Sequence, residues 1–199
     1  MPNPVPPAAP AEGRREKLVA SVGRLADVKR HDLLVRAWAR LAADFPDWRL
    51  EIYGVGPDRA TLEREIARSG AQQSIALKGH VKDIESVYRR ASILAHPAAY
   101  EGWGLAVTEA LAHGLPAIGF RDCPGVNRLI DHEATGLLVP AETDPEGGFE
   151  RALRRLMEDE ALRARLGAAG PASMARFAPE KVRAIWARTL FPDEAGAEG

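Results

Sequence analysis

Two glutamates, Glu101 and Glu109, stand with seven residues between them in Tyr100-Glu101-Gly102-Trp103-Gly104-Leu105-Ala106-Val107-Thr108-Glu109-Ala110. The first precedes a Gly-x-Gly turn; the second falls in a segment predicted to be helical. The first turn of a helix has no intrahelical acceptors for its N–H groups. This predicts free backbone donors at Gly102, Trp103, Gly104 and Leu105. Those donors, with the positive end of the helix dipole, make a seat for an anion such as phosphate. The glycines let a ligand come close to the backbone. A carboxylate at each end of the seat suits a ligand that carries hydroxyls as well as phosphate, a description that nucleotide sugars meet. Glycine before a helix is also a common plain turn, and a glutamate there often only complements the dipole. The elements around the stretch must decide.

Those elements alternate. Short apolar runs predict strands at 17–22, 48–53, 74–78, 92–96, 116–120 and 136–139. Helical patterns lie between them, at 30–43, 59–68, 83–90, 104–113 and 124–131, and only helical patterns follow Asp144. Several strands are continuous apolar runs, as expected when both faces of a sheet are covered. The pattern predicts an α/β fold: a doubly wound parallel sheet of about six strands with extra C-terminal helices. In such sheets ligands sit at the carboxyl ends of the strands. The glutamate stretch follows the fourth strand, and the loop after the first carries Arg24 and Lys29. Two cations at that edge match the charge of a diphosphate. One such contact at 4 Å is worth about 4 kcal/mol before desolvation at an effective dielectric near 20. Arginine grips phosphate oxygens as a fork, lysine as a point charge.

Composition narrows the classes. The chain has 199 residues, 46% apolar, with 27 Lys plus Arg against 28 Asp plus Glu, a net charge of −1. That is one globular domain with tails, and it disfavours a general nucleic-acid binder, which would be more basic. No apolar run is long enough to span a membrane. Residues 1–16, with five prolines in the first fifteen positions, read as a disordered tail or linker and not as a secretory signal. Residues 17–190 form the expected domain and 191–199 a flexible tail. The single cysteine, Cys123, permits no intrachain disulfide, so a cytoplasmic setting is expected.

Gly23-Arg24-Leu25-x-x-x-Lys29, Gly54-x-Gly56-Pro57, Leu77-x-Gly79, His96-Pro97, Glu101-(seven residues)-Glu109, Gly114-x-Pro116 and Gly136-Leu137-Leu138-Val139 follow one another in this order. The series resembles the donor-binding, C-terminal half of the retaining GT-B glycosyltransferases of family 4, over about 17–190. The resemblance implies a Rossmann-like half of a GT-B fold that binds a nucleoside diphosphate sugar, with a uridine diphosphate sugar the first expectation. It implies transfer of a hexose to a glycan or lipid-linked acceptor, with no metal and no further cofactor. By the same resemblance Arg24 and Lys29 hold the donor diphosphate and assist its departure, and Glu101 contacts hydroxyls of the sugar; these three are the candidate catalytic residues. Gly23 belongs to the same loop. Backbone from Gly102 through Trp103 and Gly104 to Leu105 meets the sugar or the distal phosphate. Glu109 accepts from the ribose hydroxyls, and Gly79, His80 and Val81 face the base. Each role suits the physics: a carboxylate accepts two neighbouring hydroxyls well, and cations stabilise the charge that grows on a departing diphosphate.

Trp103 departs from the family, where a smaller aromatic is frequent; it suits either a wall of the sugar pocket or a half-buried anchor. His31, His80, His96, His113 and His132 show no i, i+4 pair and no accompanying cysteines, so no metal site is expected. Cys123 reads as a buried or half-buried thiol, not a nucleophile. GT-B enzymes place an acceptor domain before the donor domain, and here only 1–16 precedes it. The resemblance therefore implies a partner acceptor-binding domain, in cis or in trans, without which the chain is inactive. Peripheral membrane association would come through the full enzyme. Two other readings remain open here: a non-catalytic nucleotide or nucleotide-sugar module or partner subunit, and a doubly wound domain for another phosphorylated ligand.

Overall fold

The computed structural model describes residues 1–8 and 13–191. Six strands form one parallel sheet: β1 (Leu18–Val22), β2 (Arg49–Tyr53), β3 (Ile75–Gly79), β4 (Ile93–His96), β5 (Ala117–Phe120) and β6 (Gly136–Val139). Their order is β3-β2-β1-β4-β5-β6. Helices cross between them: α1 (His31–Ala39), α2 (Arg59–Ser69), α3 (Ile84–Arg90), α4 (Leu105–Ala112) and α5 (Pro124–Asn127). Three longer helices follow, α6 (Pro145–Glu158), α7 (Glu160–Met174) and α8 (Pro179–Leu190). The expected α/β, Rossmann-like sheet with extra C-terminal helices is the architecture observed.

Burial explains why the strands read as unbroken apolar runs. β4 and β5 are buried at every position, and β1 at all but its last. Helices cover both faces, so neither face needs alternating polar residues. The strand order reverses between β1 and β4, which pair as Val19 with Ile93 and Ala20 with Leu94. The loops leaving these two strands lie at the carboxyl ends of the sheet, at the reversal of strand order where doubly wound sheets bind ligands. Gly23 to Lys29 and Pro97 to Gly104 are those two loops.

Three expectations need correction. The segment 124–131 was expected to be a helix throughout, but α5 ends at Asn127. Beyond it the chain tightens to an i→i+3 bond, Leu129 N–H to Val126 C=O at 3.0 Å. A turn then closes at Asp131, whose N–H donates to Thr135 Oγ1 at 3.0 Å. The second correction concerns the N-terminal tail. Val5 is buried, its N–H donates to Phe177 C=O at 2.8 Å, and Trp186 Nε1 donates to Pro2 C=O at 3.0 Å. Arg15 reaches the carbonyls of Ala91 (2.7 Å) and His113 (2.6 Å). A segment without periodicity is thus held by a few long-range contacts. Residues 9–12 of that tail and 192–199 of the C-terminal one lie outside the described residues. The third correction concerns one backbone donor and belongs with the site.

Candidate functional site

Lys29 reaches the crevice because the loop after β1 is a rigid turn. A short 3-10 turn over Asp27–Lys29 ends at Arg30, whose φ of 50° is left-handed. That conformation is costly for a side chain with a Cβ, and such strain collects at functional sites. The loop after β2 braces the turn from one side. A Cβ on Gly54 would lie 1.8 Å from Gly23 C=O, so only glycine allows this approach. Leu25 N–H donates to Val55 C=O at 3.0 Å, and Gly54 N–H to Gly79 C=O at 2.8 Å. The loops after β1, β2 and β3 are therefore joined backbone to backbone. From the other side, Ala99 N–H donates to Val28 C=O at 2.9 Å and ties in the loop after β4.

Glu101 sits in that last loop and forms an ion pair with Lys29, both side chains being mostly buried. The lysine and glutamate expected at the same sheet edge thus meet directly. The His96 ring at the end of β4 lies beneath them, its Nε2 3.3 Å from the same Glu101 oxygen, Oε2. His96 first, then Lys29, hold the Glu101 carboxyl down to about 2, so it is ionised at neutral pH. His31, the first residue of α1, completes this floor: it is 4% exposed and its Nδ1 has no partner. Burial, then the neighbouring His96 and Lys29, push its pKa down to about 4 against a small opposing pull from Asp32. Arg24 is exposed and has no carboxylate partner among the described residues.

The anion seat is present in altered form. Gly102 N–H, Trp103 N–H and Leu105 N–H find no acceptor among the described residues, whereas Gly104 N–H donates to Gly125 C=O at 3.2 Å. The expected fourth donor is therefore spent on structure. Gly125 is needed for that contact, since a Cβ there would lie 2.1 Å from Glu101 C=O. The seat opens α4, and one turn into that helix Glu109 accepts from the hydroxyl of fully buried Tyr88 at 2.8 Å. Trp103 is half-buried and packs edge-on against Phe177, centroids 4.9 Å apart, which is the anchor role. Its Nε1 is buried without a partner. His80 is exposed and Val81 half-buried beyond β3, on the far side of the Gly54 loop. Cys123 is wholly buried, and burial pushes its thiol up, away from a nucleophile.

Gly23, Lys29, Glu101 and the opening of α4 are thus brought to one crevice; Glu109 adjoins it through α4. Sequence reasoning missed Tyr88, His31 and the role of His96. His96-Pro97 at a strand end was a signal; Tyr88 and His31 lie at positions that pattern as core. Among the described residues no helix is long and apolar enough to cross a membrane, and no group of three His, Cys, Asp or Glu could hold a metal. A cleft of about 1090 Å³ lies at the opposite end of the sheet, lined by Lys17, Ser92 and Pro116 at the strand starts. Two of its charged pairs are the exposed Arg14–Glu160 and Lys17–Asp47, and it lies away from the carboxyl ends of the strands, where doubly wound sheets bind ligands.

Known proteins place this geometry in a lineage. An uncharacterized glycosyltransferase of Haemophilus influenzae is 34% identical over 137 residues, covering 69% of this chain and 39% of that protein. The pneumococcal O-GlcNAc transferase GtfA, solved with UDP and GlcNAc, superposes with a TM-score of 0.81 at 27% identity, over 95% of this chain and 38% of that one. The C-terminal domain of a group 1 glycosyl transferase, LpcC of Francisella tularensis, shares the fold with a TM-score of 0.73 at 23% identity, over 83% of this chain and 93% of that one. The chain thus spans well under half the length of the first two proteins and matches nearly all of a domain. Residues 7–173 match the family described as glycosyl transferases group 1, and the chain belongs to that family.

Proposed function

We propose that this chain is the donor-binding domain of a retaining, metal-independent glycosyltransferase that uses a nucleoside diphosphate sugar, with uridine diphosphate as the carrier. The observation that carries the reading is the gathering, at the strand-order reversal, of the Lys29–Glu101 ion pair and the exposed Arg24 beside the opening of α4, one turn from Glu109. Arg24 and Lys29 take the diphosphate, and the free N–H groups of Gly102, Trp103 and Leu105 meet its distal phosphate or the sugar. Glu101 accepts from sugar hydroxyls and Glu109 from ribose hydroxyls, while Gly79, His80 and Val81 face the base. As the bond between sugar and diphosphate breaks, negative charge grows on the departing phosphate, and the cations stabilise it more in the transition state than before. That the similar pneumococcal enzyme was solved with UDP and GlcNAc supports the choice of carrier. Transfer requires an acceptor-binding domain, in cis or in trans, and the setting is the cytoplasm.

Isothermal titration of the chain with UDP, GDP and ADP, with chelator present, tests the reading. Binding of UDP without metal, weakened at least tenfold by Arg24→Ala, is the expected result. Failure of all three to bind would overturn it. The alternative, a non-catalytic module, predicts the same binding but no transfer when an acceptor domain and acceptor are supplied.

A further inference from the structure

Each candidate carboxylate is held by one oxygen only. Glu109 Oε2 accepts from the Tyr88 hydroxyl at 2.8 Å, while Glu101 Oε2 meets Lys29 and lies 3.3 Å from His96 Nε2. Neither Oε1 has a protein partner among the described residues. The two rings come from the body of the domain: Tyr88 from α3, wholly buried, and His96 from the end of β4, 3% exposed. Neither has an alternative use for its polar atom. Among the described residues Glu109 is the sole acceptor of the Tyr88 hydroxyl, and His96 Nε2 is buried with no well-aligned hydrogen bond, its near approach being to Glu101 Oε2 at 3.3 Å. A buried hydroxyl or ring nitrogen is costly unless it finds a partner, so a tyrosine at a wholly buried position of α3 needs Glu109 to justify it over phenylalanine.

We propose that Tyr88 and His96 are positioning residues, each fixing one oxygen of a site carboxylate so that the other meets ligand hydroxyls: Tyr88 aims Glu109 at the ribose and His96 aims Glu101 at the sugar. The proposal rests on the donor-site reading above. A free glutamate must lose rotamer freedom when it binds, and a carboxylate already held loses less. Tyr88 can serve at any working pH, because burial and then Glu109 push its hydroxyl pKa far above the ordinary range and keep the proton in place. Because the rings serve different carboxylates, losing one should not mimic losing the other.

The test titrates UDP, UDP-glucose and UDP-N-acetylglucosamine into the wild-type chain and into Tyr88→Phe, His96→Leu and His96→Gln. Loss of one charge-assisted hydrogen bond predicts roughly tenfold weaker binding. Tyr88→Phe should weaken UDP and its sugar conjugates alike. His96→Leu should spare UDP and remove the extra affinity contributed by the sugar, and His96→Gln, which returns an N–H at similar reach, should restore it. Wild-type chain that binds no UDP overturns the donor-site reading itself. With UDP bound by the wild type, unchanged affinity in Tyr88→Phe, or an equal loss of UDP and sugar conjugate in His96→Leu, overturns the positioning roles alone. A ligand-free measurement covers poor folding of the leucine variant or a sugar that adds no affinity. Nitrogen-15 spectra of the His96 ring should show the proton on Nε2 and a resonance that moves in Glu101→Gln; a proton on Nδ1, or no movement, overturns the His96 role.

Discussion

Mild acid should destabilise this domain through one side chain. His31 is buried at the start of α1 with its Nδ1 unpartnered. Lys29 and His96 face it, Asp32 gives only a small favourable term, and burial is the largest reason that its pKa falls from 6.5 to about 4. The helix N-terminus adds its own positive end. A depressed pKa on a base means that the unfolded chain binds the proton first. The stability present above pH 6.5 is therefore lost as pH falls toward 4. The full loss is about 3 kcal/mol, and between pH 7.5 and 5.5 it is about 1.3 kcal/mol. For a domain of this size that corresponds to a fall in Tm of roughly 3–5 °C. The carboxylates do not confuse the window. Glu101, held down to about 2, begins to lose its contribution only below its ordinary 4.5. Urea unfolding of the wild type and of His31→Gln at both pH values isolates the effect, because every other group titrates equally in both proteins. The difference in stability between them should shift by about 1 kcal/mol across the window. Parallel pH dependence in the two proteins would refute the assignment of a buried, unpartnered His31.

Arg30→Gly should be about 1 kcal/mol more stable than Arg30→Ala in denaturant melts, since both lose the side chain over Phe120 and only alanine keeps the cost of the left-handed backbone. Gly125→Ala should lower stability by roughly 1–3 kcal/mol, because the added methyl meets Glu101 C=O and not a yielding side chain. It should also weaken nucleotide-sugar binding, read by titration, since that loop carries Glu101. Glu109→Ala should weaken UDP and its sugar conjugates together, whereas Glu101→Gln should tighten UDP a few-fold and weaken the conjugate. Equal changes for both ligands in both variants would sink that division of roles.

The fold was legible because its physics is local and repeated. Unbroken apolar runs such as Ser92 to His96 can only be strands covered on both faces, and Gly, Pro and polar clusters separate them. The cations and carboxylates of the crevice were legible because each lies at the end of a strand. What stayed hidden depends on contacts between distant residues. Tyr88 and Glu109 are 21 positions apart, and the tyrosine occupies a buried position of α3 where only the spatial neighbour gives its hydroxyl a meaning. The proline-rich start carries no periodicity, so nothing local foretells that Val5 pairs with Phe177. Helix α5 was overestimated because Pro124 signals where a helix begins, while nothing in the local pattern marks its end at Asn127.

The crevice compensates part of its own charge. Lys29 lies against Glu101, with both side chains less than a fifth exposed, and a diphosphate must draw the lysine away before using it. Exposed Arg24 meets the incoming charge first and needs no exchange. Once Lys29 moves to phosphate, Glu101 keeps only His96, and a nucleotide without a sugar leaves that carboxylate short of donors in a partly desolvated place. A nucleotide sugar would bring its own hydroxyls to the other oxygen of that carboxylate. If the site takes a donor as proposed, the sugar would repair an imbalance that the diphosphate creates, and the site should discriminate against the spent nucleotide. The neutral amide of Glu101→Gln removes the imbalance, which is why the same change is expected to help UDP and harm its sugar conjugate.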